Sequence, residues 1–355
     1  MPKAAEIQNP NKAKPRLAVA LLTYNNLDLL EKFLPGLIDT CKMPGVELVV
    51  IDNASTDNTP DFLNRYDGDF RVVRVDVNRG FTNGFKVGLS QIDAEFYCLL
   101  SSDVEVSDGW IAPVLDLLAT DDKIAVVQPK IRSWHDRHMF EYAGASGGFV
   151  DKYGYPFCRG RLFYTIEEDN GQYDDVIEIF WASGACFFIK AELYHTSGGL
   201  DDDFFAHMEE IDLCWRLKNA GYKVMVCPQS VVYHMGGAVI AYGSREKVFR
   251  NHRNNLIMLV KNLPAAEALW LVLLRLIFDA LAFVNMIVRQ QFSASLGIVQ
   301  AHWSFFFGLP KWISKRKKVR AFAVRNDKKG VYPKSVVWQY FGLGKKTFSA
   351  LDWKP

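Results

Sequence analysis

The chain has 355 residues, 49% of them hydrophobic, and a formal charge of +2, which allows a substantial core in one large domain or two. The near-neutral sum hides an asymmetry: residues 311–355 hold thirteen Lys and Arg against two Asp, leaving 29 basic against 38 acidic side chains in residues 1–310. An acidic body excludes a polyanion as its own partner and confines that role, or docking to a membrane surface, to the basic tail. The six cysteines (Cys41, Cys98, Cys158, Cys186, Cys214, Cys227) form no CxxC pair and have no close Cys/His spacing. That argues against a zinc site or a disulfide framework and fits a reducing cytoplasm.

Residues 1–15 are charged and lack an apolar run, so a flexible leader is expected rather than a signal peptide. Apolar strands then alternate with helices: strand 17–23, helix 25–40 with Leu27, Leu30, Leu34 and Leu37 on one side, strand 46–52, strand 72–76, helix 82–91, strand 96–101, helix 107–118 and strand 124–128. Buried strands between helices predict an α/β fold with a mostly parallel sheet covered on both faces. In such sheets the ligand crevice lies at the carboxyl ends of the strands. Those ends read Thr23-Tyr24-Asn25, Asp52-Asn53-Ala54-Ser55-Thr56-Asp57, Asn78-Arg79-Gly80-Phe81-Thr82-Asn83-Gly84 and Ser101-Ser102-Asp103-Val104-Glu105. Each alone reads as a turn; four on one edge point to a nucleotide pocket. The absence of GxGxxG and GxxxxGK[ST] counts against a dinucleotide oxidoreductase and a P-loop NTPase. A diphosphate would then be neutralised by Mg²⁺ or Mn²⁺ held on carboxylate.

Residues 139–178 read as loops and short strands, and 179–190 as a strand interrupted at Ser183-Gly184, where a bulge or a close approach to a ligand is expected. Trp181 beside that break belongs either to the core or to the acceptor side. An amphipathic helix follows, with Glu209, Glu210 and Asp212 in its first turn and Ala220-Gly221 at its end; acids at a helix start gain from the macrodipole. Asp212 and Arg216, four residues apart, are expected to pair on the helix surface. Strands 223–227 and 231–233 lead into His234, which alone would read as a buried, hydrogen-bonded histidine.

Seven stretches in order, LLTYNN, VIDNASTDNT, NRGFTNGF, LLSSDVEV, WASGACFFI, FFAHMEEIDLCWRLKNAGYKV and VVYHMGG, resemble a family 2 glycosyltransferase of the bacterial rhamnosyltransferase-like group. The resemblance spans about residues 17–263. It implies a GT-A fold, a nucleotide-sugar donor such as dTDP-rhamnose, a divalent metal, inversion at the anomeric carbon, and a cell-surface polysaccharide or lipid-linked glycan as acceptor. Asp52 resembles the acid that contacts the nucleoside, with Thr23, Tyr24, Asn25 and Asn53 nearby, and Asn78, Gly80, Asn83 and Gly84 match the loop over the nucleotide. Ser101-Ser102-Asp103 occupies the place of the family's DxD element with serine at the first acidic position, so Asp103 remains as metal ligand and His234 matches a histidine that completes the site in some relatives. Trp181, Ser183 and Gly184 fall on the acceptor side. Glu209-Glu210 stands where the family has Glu-Asp. Deprotonating an acceptor hydroxyl calls for a carboxylate base. Adjacent helical residues diverge by about 100°, so Glu210 is the first choice and Glu209 the second.

Between residues 267 and 290, Glu267, Arg275, Asp279, Asn285, Arg289 and Gln290 fall within an arc of roughly 140°, the rest being apolar. A single polar stripe predicts an interfacial helix rather than a lone span. The apolar stretch 296–309 and the basic run from Lys311 to Lys318 complete a segment, 267–320, expected to attach to anionic lipid at the inner face of the cell membrane. The alternative is packing on the catalytic domain or on a twin subunit. A membrane fits this segment better than nucleic acid does. The expected organisation is a leader (1–15), a catalytic GT-A domain (16–263), amphipathic helices (264–310) and a basic aromatic tail (311–355). Two other functions are weighed: nucleotidyl transfer to a sugar phosphate, and non-catalytic binding of nucleotide sugars or glycans.

Overall fold

The computed structural model describes residues 14–236 and 244–355, so most of the expected leader and Gly237 of the last stretch lie outside the described residues. The first part of the chain alternates strands and helices: β1 (Leu17–Thr23), α1 (Leu27–Thr40), β2 (Val46–Asp52), α2 (Thr59–Arg65), β3 (Arg71–Arg74), α3 (Phe81–Leu89), β4 (Phe96–Ser101), β5 (Val104–Val106), α4 (Ala112–Thr120) and β6 (Ile124–Ser133), with α2 and β5 added to the expected elements. Next come β7 (Gly148–Asp151), β8 (Pro156–Cys158), β9 (Arg161–Leu162), β10 (Thr165–Ile166), β11 (Ile177–Ile179), β12 (Cys186–Lys190), α5 (Ala191–Thr196), α6 (Glu209–Asn219) and β13 (Lys223–His234). The chain ends with α7 (Arg245–Asn262), α8 (Ala265–Val288), α9 (Phe292–Phe307), α10 (Leu309–Phe322) and β14 (Val331–Tyr332).

The main sheet has the order β11-β13-β6-β12-β4-β1-β2-β3, with β5 added beside β13. Its β4-β1-β2-β3 half is parallel. In the other half β12 runs antiparallel to both β4 and β6, while β13 lies parallel to β6. Every residue of β1 is buried, because Leu17, Val19 and Leu21 pack on one face with α1 and α4 while Ala18, Ala20 and Leu22 face α3 and its neighbours. This two-sided burial explains the unbroken apolar run.

Four expectations shift. The helix expected over 107–118 starts at Ala112, because Val104–Val106 is drawn into the sheet beside β13 and Pro113 sits in the first turn. The strand expected over 179–190 is split, with residues 180–185 leaving the ladder between β11 and β12. Strands 223–227 and 231–233 form one strand, β13, whose register shifts between Cys227 and Val231. Residues 148–166 build a second sheet, β10-β9-β8-β7-β14, and β14 comes from the tail. The tail therefore returns to the body, where Phe348 and Trp353 pack with Phe149 and Phe157.

The C-terminal helices are turned opposite to a water-soluble amphipathic pair. Arg275 and Asp279, from the polar stripe of α8, are 4% and 1% exposed, and Asp279 meets His302 of α9 at 3.0 Å. Facing outward are Leu269, Trp270, Leu273, Ile277, Leu281 and Val284 of α8 and Leu296, Trp303, Phe306 and Phe307 of α9. Helix α8 is long and apolar enough to cross a membrane by length and composition. The basic run differs from expectation, since four of the six cations in 311–320 face the body. Lys311 and Lys315 pair with Asp203 and Asp201, and Arg316 and Arg320 donate to the carbonyls of Val260, Leu263 and Asn262. Lys317 and Lys318 remain exposed.

Candidate active site

The strand ends of the parallel half are tied into one surface. Asn25, at φ +51, accepts from the Thr56 N–H at 2.7 Å and from the Asp57 N–H at 3.3 Å, fixing the turn after β1 to that after β2. The Asp52 carboxylate takes the Ser55 N–H at 3.0 Å and the Arg74 guanidinium at 3.0 Å. Asn53 donates to Asn78 at 3.2 Å and to the Gly80 carbonyl at 3.3 Å. A Cβ at Gly84 would lie 2.9 Å from the Asn53 amide carbon, so only glycine lets α3 approach it so closely. Thr23 is buried and Tyr24 exposed. Asn83 lies in the first turn of α3.

Phe205 joins this surface to α6. Its carbonyl accepts the Thr82 N–H at 3.2 Å. Gly80, at φ +99, packs so tightly on its ring that a Cβ there would come within 2.5 Å. The segment leading into α6 is strained: Phe205, His207 and Met208 have φ of +64, +71 and +71, costing about 1–3 kcal/mol each. Asn254 of α7 offsets this, its amide donating to the carbonyls of Phe204, Ala206 and His207 at 3.1, 3.0 and 2.7 Å. Arg250 stacks on the Phe205 ring at 3.8 Å.

Glu209 is buried and Glu210 half-buried, and one oxygen of each (Oε2) has no hydrogen-bond partner among the described residues. Burial pushes both carboxyls up, and the Glu210 charge adds to the rise at Glu209. Glu210 rises from the ordinary 4.5 to about 7. The pair is thereby poised to hold one proton near neutrality, with acceptor oxygens available to a hydroxyl donor. Gly184 faces this pair: a Cβ there would lie 3.8 Å from both Glu209 Oε1 and the Phe81 ring.

The next residue, Ala185, accepts the Ser101 N–H at 2.9 Å, which carries the surface on to the third group. The Ser101 hydroxyl donates to Asp103 at 2.5 Å, and the Ser102 hydroxyl accepts from Asn26 at 3.0 Å. The β13–β5 ladder sets His234 opposite Val104, and the Met235 N–H bonds the Asp103 carbonyl. His234 Nε2 thus lies 3.2 Å from Asp103 Oδ2, and its Nδ1 lies 3.3 Å from Glu141 Oε1. Burial works against both charges, but Asp103 and Glu141 hold the imidazole well above its usual value, and His234 with the Ser101 hydroxyl holds Asp103 below the usual carboxylate range. Two ligands at right angles on a small divalent ion with bonds of about 2.1 Å lie about 3 Å apart. The Asp103–His234 spacing and their oxygen and imidazole donors therefore fit Mg²⁺ or Mn²⁺. Among the described residues no group of three or more His, Cys, Asp and Glu is placed to hold an ion.

Residues 18–194 match the family model for Glycosyl transferase family 2. The chain belongs to that family. This family 2 glycosyltransferase is 24% identical over 259 residues to the N-acetylglucosaminyl-diphospho-decaprenol L-rhamnosyltransferase of Mycobacterium tuberculosis, covering 68% of this chain and 83% of the relative. Among solved structures it resembles GalNAc-T7 with UDP, GalNAc and Mn²⁺ (TM-score 0.53, 17% identity, 71% of this chain and 48% of that one). It also resembles the mannosyltransferase PcManGT of Pyrobaculum calidifontis with GDP-Man and Mn²⁺ (TM-score 0.50, 19% identity, 88% and 87%). These likenesses give the fold, which is GT-A.

Two residues expected on the acceptor side of the transferase point elsewhere. Trp181 is buried under Gly148 and spends its indole N–H on the Phe149 carbonyl at 2.8 Å. Ser183 is buried and donates to the Ala143 carbonyl at 2.6 Å. Their strand leaves the sheet to pack on the second sheet, so only Gly184 of the three faces the site. The Asp212–Arg216 pair, expected on the helix surface, is buried: Asp212 takes Arg216 at 2.9 Å, Lys261 at 2.8 Å and Asn262 at 2.8 Å, because α7 covers that face. Sequence reasoning missed Glu141, Arg74, Arg250 and Asn254. The first sits in an aperiodic stretch, and Arg250 and Asn254 lie on α7, whose polar residues give no functional pattern.

Proposed function

We propose that the protein transfers a sugar, with inversion, from a nucleotide-sugar donor to a lipid-linked or cell-surface glycan at the inner face of a membrane. The observation that carries this reading is the junction at Phe205, which ties the Asn78–Gly80 loop to the start of the Glu209–Glu210 helix. A donor lying over the four strand ends would present its anomeric carbon toward that helix. Thr23, Asn25, Asp52, Asn53, Asn78, Gly80, Asn83 and Gly84 form the donor side in this reading, with Tyr24, Ser101 and Ser102 at its rim.

Glu210 takes the proton of the acceptor hydroxyl as it attacks the anomeric carbon. Its raised value near 7 matches the driving force a general base needs at neutral pH. Glu209 beside it holds the shared proton and keeps the acceptor pocket free of a second full charge. Asp103 and His234 would hold Mg²⁺ or Mn²⁺, which neutralises the charge gathering on the departing nucleoside diphosphate. The Ser101 hydroxyl orients Asp103.

The rhamnosyltransferase name of the mycobacterial relative, with its decaprenol-linked acceptor, supports dTDP-rhamnose as the first donor to try and a lipid-linked acceptor. The bare apolar face of α8 and α9, with Trp270 63% and Phe307 79% exposed, supports insertion into a bilayer surface. Exposed Lys317 and Lys318 supply a modest attraction to anionic lipid. A second copy of the chain is the other occupant of that face, and vesicle flotation with measurement of mass in detergent-free buffer separates the two.

The test is product analysis with dTDP-rhamnose, Mn²⁺ and a polyprenyl-diphosphate-linked sugar. Release of thymidine diphosphate with a lengthened acceptor supports the reading. Pyrophosphate release would mean nucleotidyl transfer, and no product with any of a panel of nucleotide sugars would mean binding alone.

A further inference from the structure

We propose that Glu141 is a positioning residue for the metal site, fixing the tautomer and ring orientation of His234 so that Nε2 faces the ion shared with Asp103. The inference rests on the metal reading of Asp103 and His234. Glu141 is 4% exposed, and its two oxygens do different things. Oε1 lies 3.3 Å from His234 Nδ1, while Oε2 accepts the Ala143 N–H. The backbone fixes the carboxylate from the other side, since the Glu141 N–H bonds the carbonyl of Ile131. Ile131 on β6 stands opposite Val232 on β13, two residues before His234.

The three groups therefore meet in the order carboxylate, imidazole, carboxylate: Glu141, after β6, beside Nδ1, and Asp103, in the turn between β4 and β5, beside Nε2. A histidine that ligates through one nitrogen commonly gives its other N–H to a carboxylate, which fixes the ring and raises its basicity. Nδ1 has no aligned hydrogen-bond partner among the described residues, and Glu141, at ion-pair distance, is the carboxylate beside it; in this proposal it takes the Nδ1 proton when the ion is bound and does not ligate directly. The imidazole stands between it and Asp103, and no three-residue ligand group exists among the described residues. Ala143 ties the same segment to the loop before β12, its carbonyl taking the Ser183 hydroxyl at 2.6 Å. The loop that aims His234 is thus continuous with the loop that carries Gly184 to Glu209.

The experiment measures Mn²⁺ affinity of the full chain by titration calorimetry, with Asp103→Asn and His234→Ala as references and thermal unfolding as a check on folding. Glu141→Ala should weaken Mn²⁺ binding about 10- to 100-fold. Glu141→Gln, which keeps an acceptor oxygen, should lose less. In Mg²⁺-loaded protein, ¹⁵N spectra should show the His234 proton on Nδ1 in the parent and a mixture of tautomers in Glu141→Ala. Unchanged Mn²⁺ affinity in Glu141→Ala, while Asp103→Asn and His234→Ala both weaken it, would overturn the role of Glu141. Unchanged affinity in all three would instead remove the metal site. If Glu141→Ala fails to fold, Glu141→Gln decides: affinity and tautomer both at parent values would overturn the proposal.

Discussion

Helices α6 and α8 both bury charged residues, and they do so to opposite ends. Around α6 every face is covered: Asp212, Arg216 and Lys218 are neutralised by Lys261, Asn262, Glu178 and backbone carbonyls. The helix is thereby locked in rotation, and its first turn holds Glu209 against Gly184 with Glu210 beside it. Around α8 the buried charges Arg275 and Asp279 occupy the protein side, and the apolar side is left bare. In one helix buried charge fixes where two carboxylates point; in the other it fixes which face the molecule offers to its surroundings. Buried ion pairs are weak sources of net stability but strong determinants of arrangement.

Glu210→Gln should lower the transfer rate about 10²- to 10⁴-fold with donor binding unchanged, measured by nucleoside diphosphate release beside donor titration; a fully active variant would remove Glu210 from the chemistry. Asp212→Ala leaves Lys261 and Arg216 without their shared acid and should cost about 3–5 kcal/mol of stability, read from denaturant midpoints. An effect under about 1 kcal/mol would mean that the network behaves as a surface pair. On α8, Leu273→Lys with Ile277→Lys should leave the melting temperature near that of the parent and abolish flotation with anionic vesicles, since each apolar side chain contributes about 1.5–3 kcal/mol on burial. Flotation that survives would place attachment elsewhere. Lys317→Glu with Lys318→Glu should have the smallest effect, about 1 kcal/mol per lysine, seen as weaker vesicle binding that high salt mimics.

The parallel half of the fold is legible because both faces of its strands are buried, so β1, β2 and β4 stand out as uninterrupted apolar runs with their expected limits. The second sheet is not legible: its strands are two to four residues long and one partner, β14, lies far along the chain. Strand-end polar residues could be picked out by type and spacing. Which way Trp181 and Ser183 point depended on the strand leaving the sheet, and local composition does not encode that. The polar stripe of α8 was visible, but its direction was set by His302 and Tyr155, which periodicity within one helix does not reveal. Glu141 could be found only through its neighbours in space.

The base chemistry proposed for Glu210 depends on burial raising the carboxylate pair. Because the folded value of Glu210 is raised from 4.5 to about 7, the base is charged above that value and protonated below it. The same rise means that stability linked to this group is full below pH 4.5 and is lost as pH climbs through about 7. The pH dependence of kcat/KM for the nucleotide sugar therefore measures the central claim directly. The account predicts an acid limb with its midpoint near pH 7, absent from the residual activity of Glu210→Gln. A limb near pH 4.5, the ordinary value for a solvated glutamate, or one near 7 that persists in Glu210→Gln, would contradict it.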